Sequence, residues 1–140
     1  MSMTIKNQKQ NNELTILIVE DDGDLNGAYS MILSSAGYHI LSAYNGREAL
    51  DIIEREGDPD IIFLDLRMPV LDGIGFLEKY KANSHDTTVI VFSNYDAQSE
   101  VDKAFELGAD RYVLKARAAP KELIHIVEEV AAQPTKKSKN

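Results

Sequence analysis

Short apolar runs alternate along the chain with longer segments whose apolar residues recur every three or four positions. The short runs are rich in β-branched side chains, which is typical of buried strands, whereas the longer spacing is typical of helices that pack on one side. Strands are predicted at residues 14–19, 39–43, 61–64, 89–92 and 112–114. One helical segment follows each of them.

Glycine and proline mark the ends of the predicted helices, because glycine favours a helix C-terminus and proline favours the first helical turn. The first helix is predicted to end at Gly37, the second to run from Gly46 to Gly57, the third to begin after Asp72 and Gly73, the fourth to end at Gly108 and the fifth to begin after Pro120.

The apolar stripes of these helices indicate which faces are buried. Leu25, Ala28 and Tyr29 belong to the stripe of the first helix, and Ala104 and Phe105 belong to that of the fourth. Five strands that alternate with five helices indicate an α/β domain with a parallel sheet covered on both faces. We therefore predict a doubly wound, five-stranded parallel sheet, for which right-handed crossovers leave only a few strand orders.

Charge and apolar content divide the chain into one domain and two tails. Residues 1–13 and 133–140 are polar and lysine-bearing, so we expect disordered tails there and one domain over 14–132. This domain carries 10 basic and 22 acidic residues. Because so acidic a surface repels phosphate, we expect no nucleic-acid binding by this domain.

Several classes of protein are disfavoured by what the sequence lacks. It has no cysteine, which excludes disulfides and thiolate metal sites, and no apolar run near the roughly 18 residues that a membrane-spanning helix needs. Its first residues show no apolar core of a secretion signal. We expect a cytoplasmic protein that does not enter the membrane.

Polar side chains follow four of the five predicted strands. In an open parallel sheet these positions share the edge at which ligands bind. They are Glu20, Asp21 and Asp22 after the first strand, Asp65 after the third, Ser93 and Asn94 after the fourth, and Lys115 after the fifth.

This combination of groups predicts a particular chemistry. Carboxylates crowded at one edge repel each other unless a cation neutralises them, and oxygen ligands suit a hard ion such as Mg²⁺. A hydroxyl and an ammonium group on the other side could hold the oxygens of a transferred phosphoryl group. Each residue alone has an ordinary explanation: Asp65 as a turn former, Asp22 as a helix cap, Lys115 as a surface lysine.

The chain resembles the receiver domain of bacterial response regulators, the phosphorylated half of two-component signalling. The resemblance covers about residues 14–132 and is carried by ILIVEDD (16–22), DIIFLDLRMPVLDG (60–73), VIVFSN (89–94) and RYVLK (111–115), with GREAL (46–50) and ELGAD (106–110) in support. It implies a flavodoxin-like (βα)₅ fold with strand order 2-1-3-4-5.

The resemblance also implies a role for each residue of the site. Asp65 would accept a phosphoryl group from a sensor histidine kinase or a histidine phosphotransfer protein. Mg²⁺, with Mn²⁺ as a substitute, would be held by Glu20, Asp21, Asp65 and the backbone carbonyl of Arg67. Phosphate binding and switching would fall to Ser93, Asn94, Lys115 and the aromatic Tyr112.

The implied output is a signalling switch rather than an enzyme with a released product. Phosphorylation would change the face formed by the fourth helix, the fifth strand and the fifth helix, and a downstream protein would bind there. Homodimerisation stays open, because composition does not reveal the faces that receivers use to dimerise.

Four positions depart from the commonest pattern of the family. The lysine is usually followed by a cis proline; because a non-proline cis bond costs about 2.5–4 kcal/mol, we predict a trans bond between Lys115 and Ala116. Asn94 stands where a small residue is usual and should narrow access to the aspartate. The bulky Arg67 and Tyr95 are hypothesised to shield the acyl phosphate from water.

Other functions remain open at this point. The chain could be a degenerate receiver that binds a partner without being phosphorylated. A phosphohydrolase with an aspartate nucleophile would need an acid where Arg67 stands. A flavodoxin-like cofactor binder would need a phosphate loop after the first strand, where three acidic residues would repel the ligand.

Overall fold

A computed structural model describes residues 13–94, 97–117 and 119–133. The five strands are β1 (Thr15–Val19), β2 (His39–Ala43), β3 (Ile61–Leu64), β4 (Thr88–Ser93) and β5 (Arg111–Leu114). The five helices are α1 (Gly23–Ser35), α2 (Gly46–Glu56), α3 (Gly73–Tyr80), α4 (Gln98–Glu106) and α5 (Pro120–Ala131). In the described part of the chain, no helix is long and apolar enough to cross a membrane.

The strands form one parallel sheet in the order β2-β1-β3-β4-β5, which confirms the predicted fold and strand order. β2 and β3 have the predicted bounds, the ends of the other strands differ by at most one residue, and the helix ends differ by at most two. The main difference lies in β4, where Ser93 is the last residue of the strand instead of following it, because it still pairs with Leu114 of β5. Ser93 is fully buried in this position.

Alternate residues of the strands fill two separate cores, as expected of a sheet covered on both faces. Leu17, Val19 and Leu64 face the side of α2, α3 and α4, whereas Ile18 and Phe63 face α1 and α5. The central strands are therefore buried on both sides, and their carboxyl ends form a stable base for the site.

Side chains cap three of the five helices. Asp22 accepts from Asp24 N and Leu25 N at the start of α1, Asn45 accepts from Glu48 N at the start of α2, and Asp72 accepts from Gly75 N at the start of α3. Each cap contributes about 1 kcal/mol. The first residues of α4 and α5 have no such side-chain bond.

Two of the predicted apolar stripes each include one residue that is exposed in the structure. In α1 the buried residues are Asn26, Tyr29 and Leu33, while Ala28 is exposed. In α4 only Ala104 is buried, and Phe105 is 44% exposed. Both errors arose because a run of adjacent apolar residues defines the face of a short helix only to within one position.

The peptide bond between Lys115 and Ala116 is trans, as predicted. After β5 the chain turns at once through a short 3₁₀ helix, Lys115–Arg117. The loop beyond the lysine therefore begins with a helical turn.

Val70 lies in the loop between β3 and α3 with a φ of 70°, and its side chain is 80% exposed. A β-branched residue in this left-handed conformation is strained, whereas asparagine tolerates it. We expect Val70→Asn to raise the free energy of unfolding by about 1 kcal/mol in chemical denaturation. The matched control is Gly57→Ala, because Gly57 has a φ of 93° and open space around it. This substitution should lower the free energy of unfolding by about the same amount. A loss of stability in Val70→Asn would contradict this account.

Candidate functional site

The carboxyl ends of the central strands bring Glu20 and Asp65 side by side. The hydrogen bonds of the sheet continue one residue past the strands. Glu20 N donates to Ala43 O, and Asp65 N donates to Val19 O, both at 3.0 Å. The backbone of both acidic residues is thus held by the sheet itself.

Three carboxylates converge at this edge. Oxygen atoms of Glu20, Asp21 and Asp65 lie within 4.8 Å of one another; Glu20 and Asp65 are buried, and Asp21 is exposed. A cluster made only of carboxylate oxygens, with one member open to solvent, fits a hard divalent cation that keeps part of its water. The donor set is therefore compatible with Mg²⁺ or Mn²⁺.

Lys115 places its ammonium group between the two buried carboxylates. Its Nζ lies 2.5 Å from Glu20 Oε1 and 3.2 Å from Asp65 Oδ2, and its side chain is only 10% exposed. The same atom lies 5.4 Å from the centre of the Phe92 ring. The lysine therefore supplies the positive charge that a pair of buried carboxylates requires.

Burial governs the protonation of these groups. It raises the pKa of Asp65 and of Glu20, although Lys115 acts in the opposite direction on both. Burial alone would lower the pKa of Lys115, but the two carboxylates raise it overall. The ionised carboxylates are therefore costly in the folded protein, and a bound cation would relieve that cost.

Close backbone contacts orient the two acidic side chains. Asp22 N donates to Glu20 Oε2 at 2.9 Å, and Arg67 N donates to Asp65 Oδ1 at 3.3 Å. At Gly73 an added Cβ would lie 2.6 Å from the carbonyl oxygen of Asp65, so only glycine allows α3 to start this close. Gly73, in the Asp72-Gly73 pair after β3, thus allows α3 to pack directly against the backbone of Asp65.

The other predicted site residues lie at different depths in the domain. Ser93 is fully buried at the end of β4, and Tyr112 is half-buried in β5, where it pairs with Val91. Asn94 is exposed. An open pocket is lined by Glu20, Asp21, Asp22, Leu25, Asp65, Arg67, Asn94 and Lys115.

Arg67 extends away from its backbone contact with Asp65 toward α4. Its guanidinium group forms an ion pair with Glu100 at 3.1 Å, and both side chains are partly exposed. Tyr95, the other residue hypothesised to shield the site, lies outside the described residues.

Comparison with known proteins identifies the family. Residues 16–128 match the family described as the response regulator receiver domain. The chain belongs to this receiver family.

Relatives of the receiver domain agree with this assignment. A probable transcriptional regulator ycf27 from Porphyridium aerugineum is 36% identical over 125 residues, which cover 89% of this chain and 51% of the relative. The response regulator MprA of Mycolicibacterium vanbaalenii is 36% identical over 71% of this chain and 43% of its own length. The chain thus spans about half the length of these curated relatives.

A solved structure shows the same fold. The response regulator receiver domain protein (CheY-like) from Methanospirillum hungatei JF-1 is 26% identical, with a TM-score of 0.77 over 84% of this chain and 93% of that one. The resemblance to response regulators that the sequence motifs indicated is therefore confirmed for fold and family.

Two contacts of this receiver were not foreseen. Asn26 is fully buried and reaches the backbone of Glu20, and Glu100 pairs with Arg67. For Asn26 a signal was available, because it stands at helical spacing from Tyr29 and Leu33. Nothing in the sequence marked Glu100, since the pair joins a loop and a helix that are distant along the chain.

The raised pKa of Asp65 generates a stability prediction. Above its unfolded pKa, a carboxylate whose folded pKa is raised lowers the stability of the folded state. We expect Asp65→Asn to raise the Tm of the metal-free protein by a few degrees and to reduce the further rise expected on addition of Mg²⁺. Asp51→Asn is the control, because Asp51 is exposed and forms an i,i+4 pair with Arg47. Calorimetry that shows a lower Tm for Asp65→Asn would disprove the prediction.

Proposed function

We propose that this receiver domain accepts a phosphoryl group on Asp65 in a Mg²⁺-dependent reaction and thereby switches a partner-binding surface. The observation that supports this best is the position of Asp65: its carboxylate lies beside the acidic pair Glu20 and Asp21 and against the ammonium group of Lys115. The members of that cluster can bind a cation, provide a nucleophilic oxygen and neutralise a transferred phosphoryl group.

In the proposed reaction an Asp65 carboxylate oxygen attacks the phosphorus of a phosphohistidine on a sensor histidine kinase or a histidine phosphotransfer protein. The new O–P bond forms as the P–N bond breaks, and the bonding electron pair returns to the imidazole nitrogen. Lys115, already in contact with Asp65, pairs with the incoming oxygens. Ser93 and Asn94, at the end of β4, are proposed to bind further phosphoryl oxygens.

Glu20, Asp21 and Asp65, with the carbonyl oxygen of Arg67, are the proposed ligands of the ion. Mg²⁺, or Mn²⁺ in its place, would neutralise negative charge as the phosphoryl group approaches the carboxylates. Two of the three carboxylates are buried. Few water molecules therefore solvate them, which strengthens their attraction for the ion.

The proposed output is a population shift in the face formed by α4, β5 and α5. Tyr112 of β5 is half-buried, and Phe105 of α4 is 44% exposed. A switch in which Ser93 is drawn toward the phosphoryl group and Tyr112 packs inward would alter the surface offered to a downstream protein.

The remaining parts of the proposal concern context. We propose a cytoplasmic signalling switch without nucleic-acid binding of its own, formed by residues 14–132. Homodimerisation is compatible with it. A receiver that binds its partner constitutively is the alternative, and the first experiment below separates the two.

Phosphorylation is tested with a small phosphodonor. After incubation with acetyl phosphate and Mg²⁺, intact-mass spectrometry should show the gain of one phosphoryl group. The gain should be absent in Asp65→Asn and after chelation of the metal, and it should persist in Asp51→Asn, whose carboxylate lies on the exposed side of α2. An unmodified wild-type chain under these conditions would favour the constitutive binding module.

The lifetime of the acyl phosphate tests the role of Arg67. If its side chain excludes water from the site, Arg67→Ala should shorten the phosphorylated lifetime severalfold, as followed by mass spectrometry after removal of the donor. Arg47→Ala is the matched control, since Arg47 pairs with Asp51 on the surface of α2. An unchanged or longer lifetime in Arg67→Ala would refute the shielding role.

A further inference from the structure

We propose that Asn26 is a positioning residue for the cation site, because it fixes the backbone on both sides of Asp21. The inference rests on the proposed function, since it concerns the same Mg²⁺ site. Asn26 belongs to α1, is fully buried, and is not one of the carboxylates and phosphate ligands assigned above.

The side-chain amide of Asn26 joins the ends of two neighbouring strands. Its Nδ2 donates to the carbonyl oxygen of Glu20, just after β1, and to that of Ala43, at the end of β2, both at 3.0 Å. Glu20 N also donates to Ala43 O. The residue that precedes Asp21 is therefore held at both its amide and its carbonyl group.

The backbone of Asn26 holds the other side of the same loop. Asn26 N donates to the carbonyl oxygen of Asp22 at 2.9 Å. One residue thus binds the carbonyl groups that flank Asp21 on either side. Asp21 is the exposed carboxylate of the cluster. Because the carbonyl groups on both sides of it are bound, the backbone of Asp21 is restricted, and so is the region that its side chain can reach.

A chain of hydroxyl groups defines the orientation of the amide. Ser30 Oγ donates to Asn26 Oδ1 at 3.2 Å and lies 2.9 Å from Ser42 Oγ of β2. With its oxygen occupied in this way, the amide presents both hydrogens to the two carbonyl groups. A buried amide is tolerated because these bonds satisfy it, whereas leucine would fill similar space and make none of them.

The consequence is a pre-formed acidic loop. Ligands that are already in place lose little conformational freedom when the cation binds, and partners that orient metal ligands typically contribute about 10-fold to 100-fold in affinity. Loss of the Asn26 amide should therefore weaken Mg²⁺ binding more than its effect on folding would explain.

The experiment compares Mg²⁺ affinity, by isothermal titration calorimetry, with metal-free Tm in three variants of the full chain. Asn26→Leu removes both amide bonds, and Ser30→Ala removes only the group that orients the amide. The control is Thr87→Val at the opposite edge of the sheet: Thr87 is buried, its Oγ1 donates to Pro59 O at 2.7 Å, and it accepts from Tyr80 Oη at 2.9 Å.

We expect the Mg²⁺ Kd of Asn26→Leu to rise about tenfold or more, and that of Ser30→Ala to rise less but measurably. Thr87→Val should lose thermal stability and keep the wild-type Kd. If Asn26→Leu does not fold, the Kd of Ser30→Ala decides: a rise supports the inference and an unchanged value overturns it.

Two results would overturn the proposal in distinguishable ways. An unchanged Kd in folded Asn26→Leu, or an equal rise in Thr87→Val, removes the positioning role and leaves the cation site intact. A wild-type chain that does not bind Mg²⁺ removes this inference together with the proposed function.

Discussion

The contact of Lys115 with two buried carboxylates is the interaction on which the rest of the site depends. Lys115 follows β5, and β4 lies between that strand and the one that ends at Asp65. The lysine side chain must therefore pass the end of β4, where it runs near the Phe92 ring. Without this ammonium group, burial would leave Glu20 and Asp65 with no cationic partner on that side, a cost of several kcal/mol for each unpaired charge.

Lys115 compensates only part of the cost of burying the two carboxylates, and the cost that remains favours the binding of a cation. Burial outweighs the effect of the single ammonium group, so the pKa of both Glu20 and Asp65 stays raised. A site in this condition gains stability from any cation that reaches it, and the exposed Asp21 leaves a route from solvent. The negative charge of the cluster thus favours a divalent ion. The backbone hydrogen bonds of the loop restrict where the carboxylate ligands can lie.

Sequence reasoning predicted most of the fold because the relevant signals are local. Apolar runs of strand length, glycines at helix ends and acidic groups after strands are each legible within a few residues, and the strand order came from resemblance to the family. The features that the sequence did not predict depend on tertiary contacts. Ser93 belongs to β4 because it pairs with β5, and Asn26 is buried because its amide binds the ends of two strands. Arg67, in a loop, pairs with Glu100 of α4, which is distant along the chain.

Under the proposed function, the structure predicts which side of the domain should respond to chemistry at Asp65. β1, β3 and β4 are almost fully buried, and α1, α2 and α3 start at side-chain caps. In contrast, every residue of β5 is half-buried, and neither α4 nor α5 has a side-chain cap. The other edge strand, β2, is also mostly half-buried, but it carries none of the proposed site residues. Elements with few buried contacts rearrange at the lowest free-energy cost. Lys115 follows β5 and contacts Asp65, so under the proposed function a change of charge at the aspartate should act on this edge of the sheet rather than on β2.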